Sequence, residues 1–229
     1  MESTAQRLRE VRDKLSAAAA ASGRSAESVE IIAVAKTATA ESLCAAWEAG
    51  QRHFGHNRLQ SLAAHHALIP EANWHFIGLL QRNKAKAALE MSLLLHTIGD
   101  LRIAERCNRL SEEAGLTCCV LVQVNSTPED GRYGCQLNRL EEFLSELSPL
   151  SNLRVDGLMT LAPNKATEST LRRVFSSVRE GAQQQAANGL LPTSPQLSMG
   201  MSNDYEIAVA EGATLVRVGR AIFPAATFS

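Results

Sequence analysis

Short apolar runs alternate with helix-period segments along nearly the whole of this 229-residue chain. About eight such β-then-α units follow one another, each of roughly 25 residues, and alternating units of this kind form parallel sheets. Eight of them in one domain predict an α/β fold, the (β/α)8 TIM barrel, whose usual length is about 250 residues. The predicted strands are Glu30–Ala35, Arg52–Gly55, Trp74–Ile77, Leu94–Ile98, Thr117–Asn125, Arg154–Thr160, Gln196–Ser198 and Leu215–Val218.

An amphipathic helix over residues 2–22 is predicted to precede the first strand, with Leu8, Val11 and Leu15 on one stripe. An open doubly wound sheet is the alternative architecture, but no G-x-G-x-x-G motif follows the first strand. No low-complexity linker divides the chain, so residues 1–229 are predicted to form a single domain.

The composition argues against several function classes. The chain has 23 Lys+Arg and 24 Asp+Glu, and a net charge of −1 gives no reason to expect a nucleic-acid or anionic-membrane partner. Its five cysteines include no C-x-x-C pair and its six histidines no H-E-x-x-H motif, so no metal site is expected. No signal peptide or membrane span is recognisable, and we expect reduced thiols and a cytoplasmic location.

Lys36 follows directly on the first apolar run, which reads V-E-I-I-A-V-A. A lysine at the end of a buried strand is costly unless it is paired, neutral or covalently used. Burial lowers the pKa of an ammonium group, and an unprotonated amine is what carbonyl chemistry requires. The alternative is a lysine that simply reaches solvent from the strand end. The local sequence favours this plainer interpretation, and the rest of the chain favours the first.

Several candidate residues lie at the carboxyl ends of the predicted strands, where the loops of such barrels form the active site. Asn57 follows the second strand and His75 lies in the third. The loops after the seventh and eighth strands form the recurrent phosphate site of this fold. These two loops and their strands contain Met199, Ser202, Arg217, Gly219 and Arg220.

A phosphate group is expected at these last two loops. Ser202 offers a hydroxyl, and a helix predicted to start at Gly219 would offer backbone N–H groups and a dipole that favours an anion. A phosphate on one side and a reactive lysine across the barrel mouth are the two anchors of pyridoxal phosphate. Each residue alone also fits a structural role: Gly219 as a strand end, Ser202 as a helix cap, Arg217 as an ion-pair partner. Their common placement on one barrel face favours the ligand site.

Six motifs, taken together, resemble the pyridoxal phosphate homeostasis protein family, also called the YggS or PROSC family. This family is related to the amino-terminal barrel of alanine racemase. The motifs run in the family's order over nearly the whole chain. They are A-V-A-K-T at 33–37, F-G-H-N at 54–57, W-H-F-I-G-L-L-Q-R-N-K at 74–84, G-L-M-T at 157–160, L-S-M-G-M-S-N-D-Y at 197–205 and V-R-V-G-R-A-I-F at 216–223.

The resemblance implies a barrel of the alanine racemase amino-terminal type and the cofactor pyridoxal 5′-phosphate. Lys36 would carry the cofactor as a Schiff base. Ser202, with the backbone N–H groups of Gly219 and Arg220, would hold the phosphate. Arg217 would face the pyridine nitrogen. The remaining pocket residues would be Asn57, His75 and Met199.

The chain departs from the family pattern at four positions. The family usually has glutamate at the position of His56, and often an aromatic residue at that of Arg58. A small hydroxyl residue is common where this chain has Arg220, so Arg220 would act through its backbone. Pro224 stands where a glycine is usual.

Two functional classes compete. The first is a protein that stores, buffers and delivers pyridoxal phosphate, influences amino-acid and keto-acid balance, and serves apo-enzymes as recipients, as a monomer or weak dimer. The second is a fold-type III enzyme such as an amino-acid racemase. Racemisation needs two acid/base groups, and in the racemases one comes from an additional β domain that is expected to be missing here. An arginine beside the pyridine nitrogen also weakens the electron sink. The carrier is preferred, with no catalytic residue.

Overall fold

The computed structural model describes residues 2–126 and 133–224; residues 1, 127–132 and 225–229 of the predicted domain lie outside them. The strands within the described residues are β1 (Glu30–Val34), β2 (His53–His56), β3 (Asn73–Phe76), β4 (Leu94–Ile98), β5 (Cys118–Asn125), β6 (Cys135–Gln136), β7 (Leu153–Met159), β8 (Gln196–Met201) and β9 (Leu215–Val218).

Eight of these strands close into a barrel. They lie in the order β4-β3-β2-β1-β9-β8-β7-β5, and β5 pairs back with β4. Neighbouring strands run parallel throughout this ring. The short β6 adds to β5 outside the ring, so the predicted sixth, seventh and eighth strands are β7, β8 and β9. The predicted (β/α)8 barrel is confirmed.

The helices of the described residues are α1 (Thr4–Ala21), α2 (Ala40–Glu48), α3 (Leu59–Leu68), α4 (Ala85–Met91), α5 (Leu101–Ala114), α6 (Leu140–Leu147), α7 (Glu168–Ala187) and α8 (Tyr205–Ala210). The predicted amino-terminal helix is α1, which begins after Ser3 because the Ser3 hydroxyl accepts a hydrogen bond from the Gln6 N–H. None of the helices in residues 2–126 and 133–224 is long and apolar enough to cross a bilayer.

Two apolar layers stabilise the barrel. The outer layer lies between strands and helices and includes the fully buried rings of Phe54, Trp74 and Phe175. The inner cluster draws its core residues from five different strands and none from a helix, so it lies in the barrel interior. Its members are Ile32, Leu94, Leu121, Met159 and Leu215. Burying one such side chain stabilises the fold by about 1.5–3 kcal/mol.

Candidate functional site

Loops at the carboxyl ends of the barrel strands surround a cavity of about 460 Å³. Small-molecule sites in proteins usually measure about 300–1,000 Å³, so the cavity can hold a small phosphorylated ligand. The predicted site residues that line it are Lys36, Asn57, Ser202, Arg217, Gly219 and Arg220. These six residues therefore meet at the barrel end where the sequence predicted the site.

Lys36 lies in a turn and not in a strand. β1 ends at Val34, one residue earlier than predicted, and the chain continues through a 3-10 turn at Ala35–Thr37. The Thr37 hydroxyl donates to the Phe223 carbonyl oxygen at 2.9 Å, which joins this turn to the last loop. Lys36 is exposed and forms no ion pair with any described residue. The expectation of a buried lysine is wrong, because the turn places Lys36 in the open cavity.

The loops after β2 and β3 pack directly against each other. A Cβ atom added at Gly78 would overlap the backbone of Asn57, so only glycine allows these two loops to meet. The glycine of the W-H-F-I-G motif thereby holds Asn57 at the cavity wall. Loop packing therefore explains the glycine of this motif, which the sequence analysis used only as evidence of family resemblance.

The loops after β8 and β9 supply hydrogen-bond donors to the cavity. The Gly219 N–H donates to the Ser202 hydroxyl oxygen at 3.2 Å, so the two loops are in direct contact. The N–H groups of Ser202, Asn203 and Arg220 have no acceptor among residues 2–126 and 133–224. All three residues line the cavity. Unpaired backbone N–H groups of this kind form binding sites for anions such as phosphate.

The helix predicted to begin at Gly219 is not formed. Residues 219–224 instead make a turn, in which the N–H groups of Ile222 and Phe223 both donate to the Gly219 carbonyl oxygen at 2.9 and 2.8 Å. The expected helix dipole is therefore wrong. The Arg220 N–H nevertheless stays available to a ligand, because the turn uses only the later N–H groups.

Arg217 is the buried charge of the site, with 3% of its surface exposed. Its guanidinium donates to the Ser198 hydroxyl oxygen at 2.6 Å and to the Thr160 carbonyl oxygen at 2.8 Å. Burial lowers the pKa of Arg217 to about 10, while the nearby Asp204 carboxylate opposes this shift. Arg217 therefore presents a fixed positive charge to the cavity.

The sequence and the fold both match known proteins. The family model of the alanine racemase N-terminal domain matches residues 7–226. The pyridoxal phosphate homeostasis protein of Escherichia coli is 41% identical over 239 residues, which cover 100% of this chain and 99% of that protein. The chain belongs to the pyridoxal phosphate homeostasis protein family.

Solved structures place this homeostasis-family chain beside two kinds of relative. PipY of Synechococcus elongatus, solved with PLP bound, has a TM-score of 0.85 and 36% identity, covering 96% of this chain and 99% of that chain. An alanine racemase of Corynebacterium glutamicum has a TM-score of 0.69 and 16% identity, covering 96% of this chain and 62% of that one. The racemase comparison shows the fold alone.

Two predicted pocket residues of this family member, His75 and Met199, do not line the cavity. His75 is buried inside the barrel, where its ring nitrogens lie 2.9 Å from those of His53 and His96. Met199 packs in the outer layer, because Ser198 faces the interior and successive strand residues point to opposite faces. Neither residue therefore lines the cavity in this structure, and their contact with a bound cofactor stays a prediction.

The departures from the family pattern lie mostly away from the cavity. His56 is buried in the outer layer, where its Nε2 lies 2.9 Å from His65 Nδ1 and its ring stacks on Trp74. Burial, with a smaller effect of His65, lowers the pKa of His56 to about 4. Arg58 and Pro224 are exposed and do not line the cavity. Among the four departures, the cavity contacts only Arg220.

A second lysine of this homeostasis-family protein was not anticipated from the sequence. Lys165, in the loop after β7, is exposed and lines the same cavity as Lys36. Its φ of 58° lies in the left-handed region, which is uncommon for residues other than glycine. The sequence around it, A-P-N-K-A, carries no motif; only its position after a predicted strand could have indicated it.

Proposed function

We propose that the protein binds pyridoxal 5′-phosphate at this cavity and serves to store, buffer and deliver it. The observation that carries the proposal is a shared cavity: it holds the exposed Lys36 together with backbone N–H groups, from the loops after β8 and β9, that have no acceptor among the described residues. Close relatives named for pyridoxal phosphate homeostasis and the solved PipY with PLP bound support it.

Different residues of the cavity would bind different groups of the cofactor. When bound, the cofactor supplies an aldehyde, which reacts reversibly with a primary amine. Lys36 offers that amine in open solvent, which suits repeated loading and release. The Ser202 hydroxyl and the N–H groups of Asn203 and Arg220 would hold the phosphate, because hydrogen bonds to an ionised acceptor are the stronger kind.

Arg217 favours the carrier over the racemase. A guanidinium is a donor with no acceptor and stays charged at working pH. Beside the pyridine nitrogen it would oppose ring protonation, and the cofactor would then be a poor electron sink. We therefore expect negligible exchange of the Cα hydrogen when L- or D-alanine is incubated with the loaded protein in deuterated water. Sustained exchange that disappears in Lys36→Ala would favour the enzyme.

The wider setting is also part of the proposal. We propose a cytoplasmic protein, monomeric or weakly dimeric, that serves apo-enzymes requiring pyridoxal phosphate and has no nucleic-acid or membrane partner. The near-neutral charge and the free thiols of all five cysteines agree with this setting.

The two cavity lysines offer a matched test. Borohydride reduction of the loaded protein, followed by peptide mass mapping, should place the pyridoxyl group on Lys36 and leave Lys165 unmodified. Lys36→Ala should abolish covalent retention, whereas Lys165→Ala should keep it. Labelling of Lys165 alone, or unchanged retention in Lys36→Ala, would refute the assignment.

A further inference from the structure

A continuous chain of hydrogen-bonded side chains runs through the barrel interior. His53 Nδ1 lies 2.9 Å from His75 Nε2, and His75 Nδ1 lies 2.9 Å from His96 Nε2. His96 Nδ1 in turn lies 2.9 Å from the Ser198 hydroxyl, which also accepts from Arg217. The chain thus joins His53, at the amino end of β2, to a residue of the cavity at the opposite end of the barrel.

Arg217 fixes the direction of the first hydrogen bonds. A guanidinium has only N–H donors, so the Ser198 oxygen must accept from it. The Ser198 hydroxyl hydrogen has one other possible partner among the described residues, the Nδ1 atom of His96. A buried hydroxyl whose hydrogen is unpaired is costly. His96 Nδ1 is therefore the acceptor, and His96 carries its own hydrogen on Nε2.

The same reasoning continues through the neutral rings. Burial is the main cause that lowers the pKa of His75 to about 3 and that of His96 well below its ordinary value. A neutral imidazole has one donor and one acceptor nitrogen. His96 Nε2–H therefore donates to His75, and His75 Nε2–H donates to His53 Nδ1. The His53 Nε2–H is left to face the Glu30 carboxylate at 4.0 Å. The Asn73 atom 3.2 Å from it is the amide nitrogen, itself a donor, so this direction requires the Asn73 amide to turn its oxygen toward His53.

We propose that His96 is a positioning residue for Arg217, and that it acts within a hydrogen-bond chain of fixed direction that runs from Arg217 to His53. The side chain of His53 is 23% exposed, whereas His75, His96 and Ser198 are buried. The groups that face His53 are Glu30 from β1 and Asn73 and His75 from β3. The expected effect on ligand affinity rests on the function proposed above. The direction of the hydrogen-bond chain does not depend on that function.

The first experiment is a nitrogen-15 NMR measurement of the histidine rings in the protein without ligand. We expect His75 and His96 to carry their hydrogen on Nε2, with both Nδ1 atoms unprotonated. A hydrogen on Nδ1 of His96 would overturn the proposal. This outcome does not depend on cofactor binding, so it separates failure of the chain from failure of the proposed function.

The second experiment compares variants in binding of pyridoxal phosphate. His96→Gln should weaken binding about tenfold, the loss expected for one misplaced charged hydrogen-bond donor. His65→Gln, which disrupts the separate histidine pair of the outer layer, should bind like the parent chain. Equal losses in both variants would indicate general destabilisation and overturn the positioning role.

Discussion

The two sides of the cavity differ in how firmly their charged groups are held. Lys36 is exposed, lies in a short turn and has no ion-pair partner among the described residues. Arg217 is buried and bonded to Ser198 and Thr160. A carrier needs both properties, because a ligand must be seated reproducibly on one side and released from the other.

The largest expected effect is a loss of folding stability in acid. Burial lowers the pKa of His56, His75 and His96, so the folded protein binds fewer protons than the unfolded chain. Stability then falls as pH drops below the ordinary imidazole value of about 6.5, by about 2 kcal/mol per ring at pH 5. Chemical denaturation at about pH 7.5 and at about pH 5 measures this loss of stability. His56→Gln, which lacks one ring, should lose less; a pH-independent free energy of unfolding would contradict the prediction.

The next largest effect is the difference in stability between variants that lack Arg217 and variants that lack Lys36. Arg217→Met leaves the Ser198 and Thr160 oxygens without their donor, and we expect it to lower the free energy of unfolding by about 2 kcal/mol. Lys36→Met removes no bonded group and should stay within about 0.5 kcal/mol of the parent chain. Urea denaturation of both variants gives the comparison. Similar losses in the two would mean that the cavity sides are held alike.

The last comparison concerns the phosphate end and is measured in ligand binding, not in stability. A hydrogen bond to an ionised acceptor contributes about 1.5–3 kcal/mol, so Ser202→Ala should weaken pyridoxal phosphate binding roughly tenfold or more. Pyridoxal, which lacks the phosphate, should bind the variant nearly as well as the parent chain. Asn203→Ala is the control, since it keeps the backbone N–H. Equal weakening of both ligands would place the phosphate elsewhere.

The sequence predicted the barrel because apolar periodicity reports directly which elements alternate along the chain. It also predicted which loops meet, since the carboxyl ends of parallel strands lie at one end of a barrel. It did not predict how deeply each side chain is buried or toward which face of its strand it points. Met199 faces the helices because of its place in the two-residue alternation of β8, and His75 lies inside the barrel, bonded to His96, instead of at its mouth.

The conformation of the loops and turns could not be predicted from the sequence either. The sequence pattern does not show that β1 stops at Val34, so it does not show that Lys36 leaves the strand. It likewise does not distinguish a helix from the single turn after Gly219. Lys165 was missed because its loop has no recognisable motif. These features depend on contacts between loops that are distant in sequence, such as the bond from Thr37 to Phe223.

That bond, and the pairing of β1 with β9, bear on the order of events during synthesis. β1 is made early, and its neighbour β9 spans Leu215–Val218, more than 180 residues later in the chain. A nascent chain on the ribosome can expose Lys36 long before Arg217, Gly219 and the final turn have emerged. Until then the loops after β8 and β9, which line the cavity, are not opposite the lysine. Under the proposed function, the protein would be unable to retain its ligand before these loops emerge, and ligand retention would report a closed barrel.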